Sequence, residues 1–267
     1  MIKLIISDMD GTFLNSHGDY NRELFEDVKK LMAEKQVHFA LCTGKQCERV
    51  EELFGSDSAN FWILGDSASR IKYNGEFAYQ SLIDNQLGLD MIATIEKANT
   101  GSNPIVIACT TEGAILRDDI HIDMIKRMKK SYANVRLVTD YANIRSDFIK
   151  ITVYDEEKRC AALKPHLTAF EDKAYIVVSE PAWMDIADYG VHKGNTVTRL
   201  QQLLNISPEE TMVFGDGLND AELMPCGKYS FAVSNAIDEI KSLASQVTHS
   251  NDEDGVMRTI QKMLALQ

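Results

Sequence analysis

Two carboxylates, Asp8 and Asp10 in the run Asp8-Met9-Asp10-Gly11-Thr12, stand just past an apolar stretch near the N-terminus. Side chains alternate along a strand, so both can point to one side unless a turn starting at Gly11 redirects them. At about 4 Å, two such carboxylates repel by roughly 4 kcal/mol at an effective dielectric of 20. A cation between them removes that cost, and hard oxygen ligands joined by one more carboxylate suit Mg²⁺. Gly11 admits a tight turn, and the Thr12 hydroxyl can bond nearby backbone or carboxylate. The plainer alternative is an acidic turn after a strand.

A further carboxylate is available in Gly215-Asp216-Gly217-Leu218-Asn219-Asp220, again straight after an apolar run. Its glycines let backbone approach a ligand closely, although Asn219 or Asp220 could simply cap the next helix. Thr43-Gly44 follows a second apolar run and reads as opening a helix. A hydroxyl and free backbone N–H groups can bind an anion there, and a plain N-cap is the alternative. Lys193-Gly194-Asn195 opens another helix, where a lysine opposes the helix dipole. Its charge is therefore wanted for something else, and a phosphoryl oxygen would serve.

Strand and helix signals alternate, which predicts a parallel sheet with crossover helices. Residues 2–7, His38–Cys42 and Phe61–Leu64 read as strands. Leu24, Val28, Leu31 and Met32 mark one helix face, and Val50, Leu53 and Phe54 line a second helix that Gly55 ends. Asn74-Gly75 signals a type I′ hairpin. From residue 82 to 186 the rhythm changes. Helices are expected near 86–99, 119–133 and 156–170, and strands near 104–110, 114–117, 135–138, 147–153, 174–179 and 183–187. Such a pattern predicts an antiparallel or mixed sheet with its helices on one face. Met124, Ile125 and Met128 form a stripe that would pack on that sheet. The first rhythm then returns, with a helix from Lys193, strands 211–214 and 229–233, helix 237–244 and a final helix presenting Val256, Ile260, Met263 and Leu264. The fold class is α/β. A doubly wound, mainly parallel, Rossmann-like core (1–81 and 187–267) is interrupted by an inserted α/β domain (82–186). Ligands bind at the carboxyl ends of strands in such sheets, where the polar groups above fall.

The chain has 267 residues, 45% of them hydrophobic, enough for these two cores. Its net charge of −12 argues against a nucleic-acid partner but leaves room for one cation-lined pocket. Five cysteines without a C-x-x-C pair read as buried reduced thiols, and six scattered histidines form no H-E-x-x-H. No apolar run is long enough to cross a bilayer. Ile2–Ile6 is too short for a signal-peptide core, so a buried first strand and a cytoplasmic location are expected.

Taken in order, Asp8-Met9-Asp10-Gly11-Thr12, Thr43-Gly44, Lys193-Gly194 and Gly215–Asp220 resemble the four motifs of the haloacid dehalogenase-like hydrolases. The position of the insert resembles the Cof-type (class IIB) branch. That resemblance implies a phosphatase of small phosphorylated metabolites, sugar phosphates or similar, with no membrane or obligate protein partner. Asp8 would be the nucleophile and form an aspartyl-phosphate, and Asp10 would be general acid and base. Asp8, Asp216 and the backbone carbonyl of Asp10 would hold Mg²⁺, with Asp220 supporting the metal from behind. Thr43, Gly44, Lys193, Asn219 and the N–H of Met9 would bind the phosphoryl group. The insert would close as a lid and select the leaving group, and Trp183 could stack on a sugar ring or simply pack. The chain departs from the family at Lys45, where arginine is usual, and at Gly65-Asp66-Ser67-Ala68, where Asn-Gly-Ala is usual. Asp66 could accept from a substrate hydroxyl or amine, or pair with Lys45 or Arg70. Ser234-Asn235-Ala236 resembles a Gly-Asn-Ala loop. Two rivals stand beside this reading: a phosphosugar mutase on the same core, and a non-catalytic phosphoryl-responsive module.

Overall fold

The computed structural model describes residues 1–98, 100–129 and 132–267. In chain order, the first part contributes β1 (Leu4–Ser7), α1 (Arg22–Glu34), β2 (His38–Cys42), α2 (Cys47–Phe54), β3 (Trp62–Gly65), β4 (Arg70–Tyr73) and β5 (Glu76–Gln80). The middle contributes α3 (Asn85–Lys97), β6 (Ile105–Thr110), β7 (Gly113–Arg117), α4 (Ile122–Met128), β8 (Val135–Val138), β9 (Phe148–Tyr154), β10 (Ala174–Glu180) and β11 (Trp183–Asp188). The last part adds α5 (Lys193–Leu204), β12 (Thr211–Gly215), β13 (Tyr229–Ala232), α6 (Asp238–Leu243), β14 (Gln246–Val247) and α7 (Gly255–Ala265).

An 8-stranded sheet runs β14-β13-β12-β1-β2-β3-β4-β5. It is parallel from β14 to β3, and the last two strands are antiparallel. Every residue of β1 is buried, as a central strand covered on both faces requires. Phe25, Val28 and Met32 of α1 pack on this sheet, and the Asn21 side chain caps that helix by accepting the Leu24 N–H. Gly55 ends α2 with a φ of 56°. Asn74 and Gly75 both carry positive φ between β4 and β5, as a type I′ turn demands. Strand order reverses around β1: the chain winds outward to β3 on one side and from β12 to β14 on the other. The carboxyl ends of β1, β2 and β12 therefore meet at the switch point, where a crevice opens.

The middle segment forms a mixed 6-stranded sheet, β10-β11-β9-β6-β7-β8, in which β7 and β8 are parallel. Its helices do not share one face, contrary to the sequence expectation. Met91, Ile92 and Ile95 of α3 pack with Val106, Ala108, Ile151 and Val153. Met128 of α4 packs with Ile107, Cys109 and Leu116 on the opposite face. The expected helix over 156–170 is instead a 3-10 segment, Cys160–Phe170, with Pro165 inside it. Proline there lacks an N–H and clashes with the preceding turn, which disfavours an α-helix. The expected helices 86–99 and 119–133 take in residues 99, 130 and 131, which lie outside the described residues. The strand β14 was not anticipated, because two exposed residues carry no alternating signal. No helix among the described residues is long and apolar enough to cross a membrane.

Candidate active site

Each strand at the switch point is followed directly by a polar residue: Asp8 after β1, Thr43 after β2 and Asp216 after β12. Strand β1 stops at Ser7, so its alternation does not extend to Asp10. Asp8 turns inward and is buried, whereas the Asp10 side chain is 58% exposed and pairs with Lys45 Nζ at 2.6 and 2.7 Å. A cation shared by the two side chains of Asp8 and Asp10 is thus not what the fold prepares. Asp8 gathers instead with Asp216 and Asp220, whose nearest ligand atoms all lie within 4.8 Å of one another. Gly11 makes this packing possible: its φ is +78°, and a Cβ there would stand 2.6 Å from Asp216 Oδ2.

Lys193 opens α5 and reaches Asp8 Oδ1 at 2.5 Å and Asp220 Oδ1 at 2.6 Å. The Asp220 carboxylate is fully engaged, since its Oδ2 accepts the N–H groups of Asp216 and Gly217. Asp216 Oδ1 accepts the Thr12 hydroxyl at 2.7 Å. Asn235 braces the Gly11 turn, donating to the Gly11 carbonyl at 2.7 Å.

Burial pushes the Asp8 carboxyl well above the usual carboxylate range, against the pull of Lys193 and with the help of Asp220 and Asp216. Burial likewise raises Asp216 to about 6, opposed by the Thr12 hydrogen bond and assisted by Asp220. For Lys193 burial acts to lower the value, but Asp220 and Asp8 outweigh it and hold the ammonium well above its usual range. Three carboxylates against one ammonium leave a surplus of two negative charges when all are ionised. A divalent cation of hard character fits that donor set, with Asp8 and Asp216 better placed to ligate than the fully bonded Asp220.

These groups open on a cavity of about 740 Å³, lined from the sheet by Asp8, Asp10, Thr43, Gly44, Asp216 and Asn219, and from the insert by side chains that include Lys150 and Trp183. The Met9 side chain is fully buried in the core, so only its backbone is available to a ligand. Thr43 and Gly44 lie in a bend ahead of α2, which starts at Cys47 rather than at Thr43 as expected. Asp66 is fully buried, bonded to Arg70 at 2.7 Å, and is not among the residues lining the cavity. The pairing with Arg70 therefore replaces the suggested contact with substrate.

Sequence reasoning missed Lys150, Thr152, Tyr132 and Asp185, which line the cavity from the insert. A signal existed: in Lys150-Ile151-Thr152-Val153 polar and apolar residues alternate, placing Lys150 and Thr152 on one face of β9. Trp183 packs its ring 4.6 Å from that of Tyr154 and also borders the cavity.

The sequence pattern of the family described as haloacid dehalogenase-like hydrolase matches residues 5–260. The chain is 28% identical over 265 residues to the 5-amino-6-(5-phospho-D-ribitylamino)uracil phosphatase YbjI of Escherichia coli (strain K12), covering 98% of this chain and 96% of that protein. The crystal structure of SMU.1108c from Streptococcus mutans UA159 is similar with a TM-score of 0.94 at 25% identity, over 99% of this chain and 100% of that one. The subclass IIB sugar phosphatase BT4131 shares the fold with a TM-score of 0.81 at 21% identity, over 98% of each chain. Since the family match runs through both the outer sheet and the insert, the chain belongs to the haloacid dehalogenase-like hydrolases.

Proposed function

We propose that the protein is a Mg²⁺-dependent phosphatase that hydrolyses small phosphorylated metabolites through an aspartyl-phosphate on Asp8. The observation that carries this reading is the cluster of buried Asp8, Lys193 and Asp220 with half-buried Asp216, set at the switch point, where Asp8 and Asp216 line a cavity roofed by the cap. Asp8, Asp216 and the Asp10 carbonyl would hold Mg²⁺, which when bound supplies charge neutralisation for the phosphoryl group.

The chain's own residues do the rest. Lys193 opposes the effect of burial and favours the charged form of Asp8 that a nucleophile requires. A carboxylate oxygen of Asp8 bonds to phosphorus as the bond to the leaving oxygen breaks, and Asp10 gives that oxygen its proton. Water then attacks phosphorus and passes a proton to the Asp10 carboxylate, releasing inorganic phosphate and restoring Asp8. The exposure of Asp10 suits a group that must reach the leaving oxygen. Thr43, Gly44, Lys193, Asn219 and the Met9 N–H would bind phosphoryl oxygens, and the cap excludes bulk water.

The cavity is far larger than a phosphate, so its cap side is free to hold a sizeable leaving group. Trp183 and Tyr132 offer ring faces, and Thr152, Asp185, Lys158 and Glu180 offer polar contacts. Phosphorylated sugars and polyols fit that lining, and the substrate that names the Escherichia coli relative carries a phosphorylated ribityl chain.

The test is release of inorganic phosphate from a panel of sugar phosphates, nucleotides, that ribitylaminouracil phosphate and p-nitrophenyl phosphate, with Mg²⁺ and with EDTA. Turnover that needs Mg²⁺ and vanishes in Asp8→Asn is expected, because an amide is a very poor nucleophile. Normal turnover by a folded Asp8→Asn variant would overturn the proposal.

A further inference from the structure

Lys150 is a cap residue whose buried ammonium ends in the core. Its Nζ donates to the Gly44 carbonyl at 2.8 Å and the Ser67 hydroxyl at 2.9 Å. Its third acceptor, Asp185 Oδ1 of the cap itself, lies farther off at 3.4 Å and also accepts the Thr152 hydroxyl at 2.7 Å. A buried charge held mainly by neutral acceptors is costly, and an apolar side chain would glue the cap down more cheaply. Two other contacts already dock the cap: the Ala133 N–H to Gln46 Oε1 at 3.0 Å and the Tyr175 hydroxyl to Glu222 at 2.8 Å. Adhesion alone does not account for the lysine.

Its acceptors are instructive. The Gly44 carbonyl belongs to the same peptide group as the Lys45 N–H, which donates to Thr43 Oγ1 at 3.1 Å. Fixing that peptide fixes the hydrogen bond into the Thr43 oxygen and leaves the hydroxyl proton to point elsewhere. The facing loop is tied to the same bend, with Asp66 N–H on the Lys45 carbonyl and Ser67 N–H on the Thr43 carbonyl. Asp66, Ser67 and Ala68 all adopt left-handed backbone, with φ of 54°, 57° and 68°. Consecutive non-glycine residues rarely do so, and the strain is sustained where it presents Ser67 to Lys150.

We infer that Lys150 is a positioning residue for phosphoryl transfer: carried in by the cap, it sets the Gly44–Lys45 peptide and the Ser67 hydroxyl, and so aims the Thr43 hydroxyl at the phosphate. This rests on the phosphatase reading above. It makes the closed cap a condition for a complete phosphate site, beyond its role as a cover.

The experiment compares Lys150→Met, Lys150→Arg, Ser67→Ala and Asp8→Asn with the wild type. Each is assayed on p-nitrophenyl phosphate with Mg²⁺, for inhibition by inorganic phosphate, and for thermal midpoint. Lys150→Met is expected to lose about ten- to a hundredfold in kcat and to be inhibited about tenfold more weakly by phosphate, without a lower midpoint. Lys150→Arg should recover part of the loss, and Ser67→Ala should lose about threefold. An active wild type whose Lys150→Met variant keeps kcat within about twofold sinks this inference alone. A fall in kcat that comes with a lowered midpoint and unchanged phosphate inhibition also sinks it, because that is mere loss of structure. If Lys150→Met does not fold, Ser67→Ala decides, and an unchanged kcat there is fatal. A wild type that releases no phosphate defeats the phosphatase reading and this inference together.

Discussion

Asp216 bears two opposed demands: the fold half-buries it beside other carboxylates, and the proposed chemistry needs it charged. Burial raises it to about 6 in the folded protein, against roughly 3.9 in the unfolded chain. A carboxyl raised by folding is held in its neutral form, so its contribution to stability is complete below about pH 4 and lost as pH rises through about 6. With EDTA present, stability should therefore fall chiefly between about pH 4 and pH 7, by on the order of 3 kcal/mol in all. Mg²⁺ would bind the charged form, so saturating Mg²⁺ should raise the thermal midpoint more at pH 7.5 than at pH 5, by linkage. Melting curves across that window check both statements. A midpoint flat in EDTA, or a Mg²⁺ increment that shrinks with pH, would contradict them.

At the scale of elements, α3 meets β9 through Gly88, where an added Cβ would strike the ring of Phe148. Gly88→Ala should cost about 1–3 kcal/mol in chemical denaturation, although alanine is the better helix former. An unchanged or higher stability would show that the ring moves aside freely. The same elements mark what the sequence could and could not disclose. Val28 and Met32 on α1, the Asn74-Gly75 turn and the position of Lys193 at the start of α5 follow from local rules, and they were legible. The side of the sheet on which α4 lies was not, because apolar spacing says that a helix packs but not against which face. Pro165 was visible, yet the expected helix ran through it. The acidic positions were legible as types, and Arg70 stood among the possible partners of Asp66, but which partner each would take was not legible. Asp10 turns out to Lys45 because β1 ends at Ser7, and Asp66 turns in to Arg70 through a left-handed backbone that no residue type there announces.

At the scale of the whole molecule, no strand of the 8-stranded sheet comes from the insert among the described residues, and the apolar clusters of the two sheets are separate. The two points where the chain crosses between them are adjacent, since the Ser81 hydroxyl donates to Asp188 Oδ2 at 2.6 Å. Joining residue 81 to residue 189 through a short Gly-Ser link should give a protein that still melts cooperatively. It should also lose at least about tenfold in kcat/KM on metabolite substrates, for want of the cap's side of the cavity. An insoluble or non-cooperative product would show that the outer sheet depends on the insert. That single doorway has a wider meaning. A segment entering and leaving at one spot can be lengthened, recombined or traded for another without re-registering the strands beneath it. Choice of substrate can then drift by exchange of a cassette while the acid cluster below stays fixed.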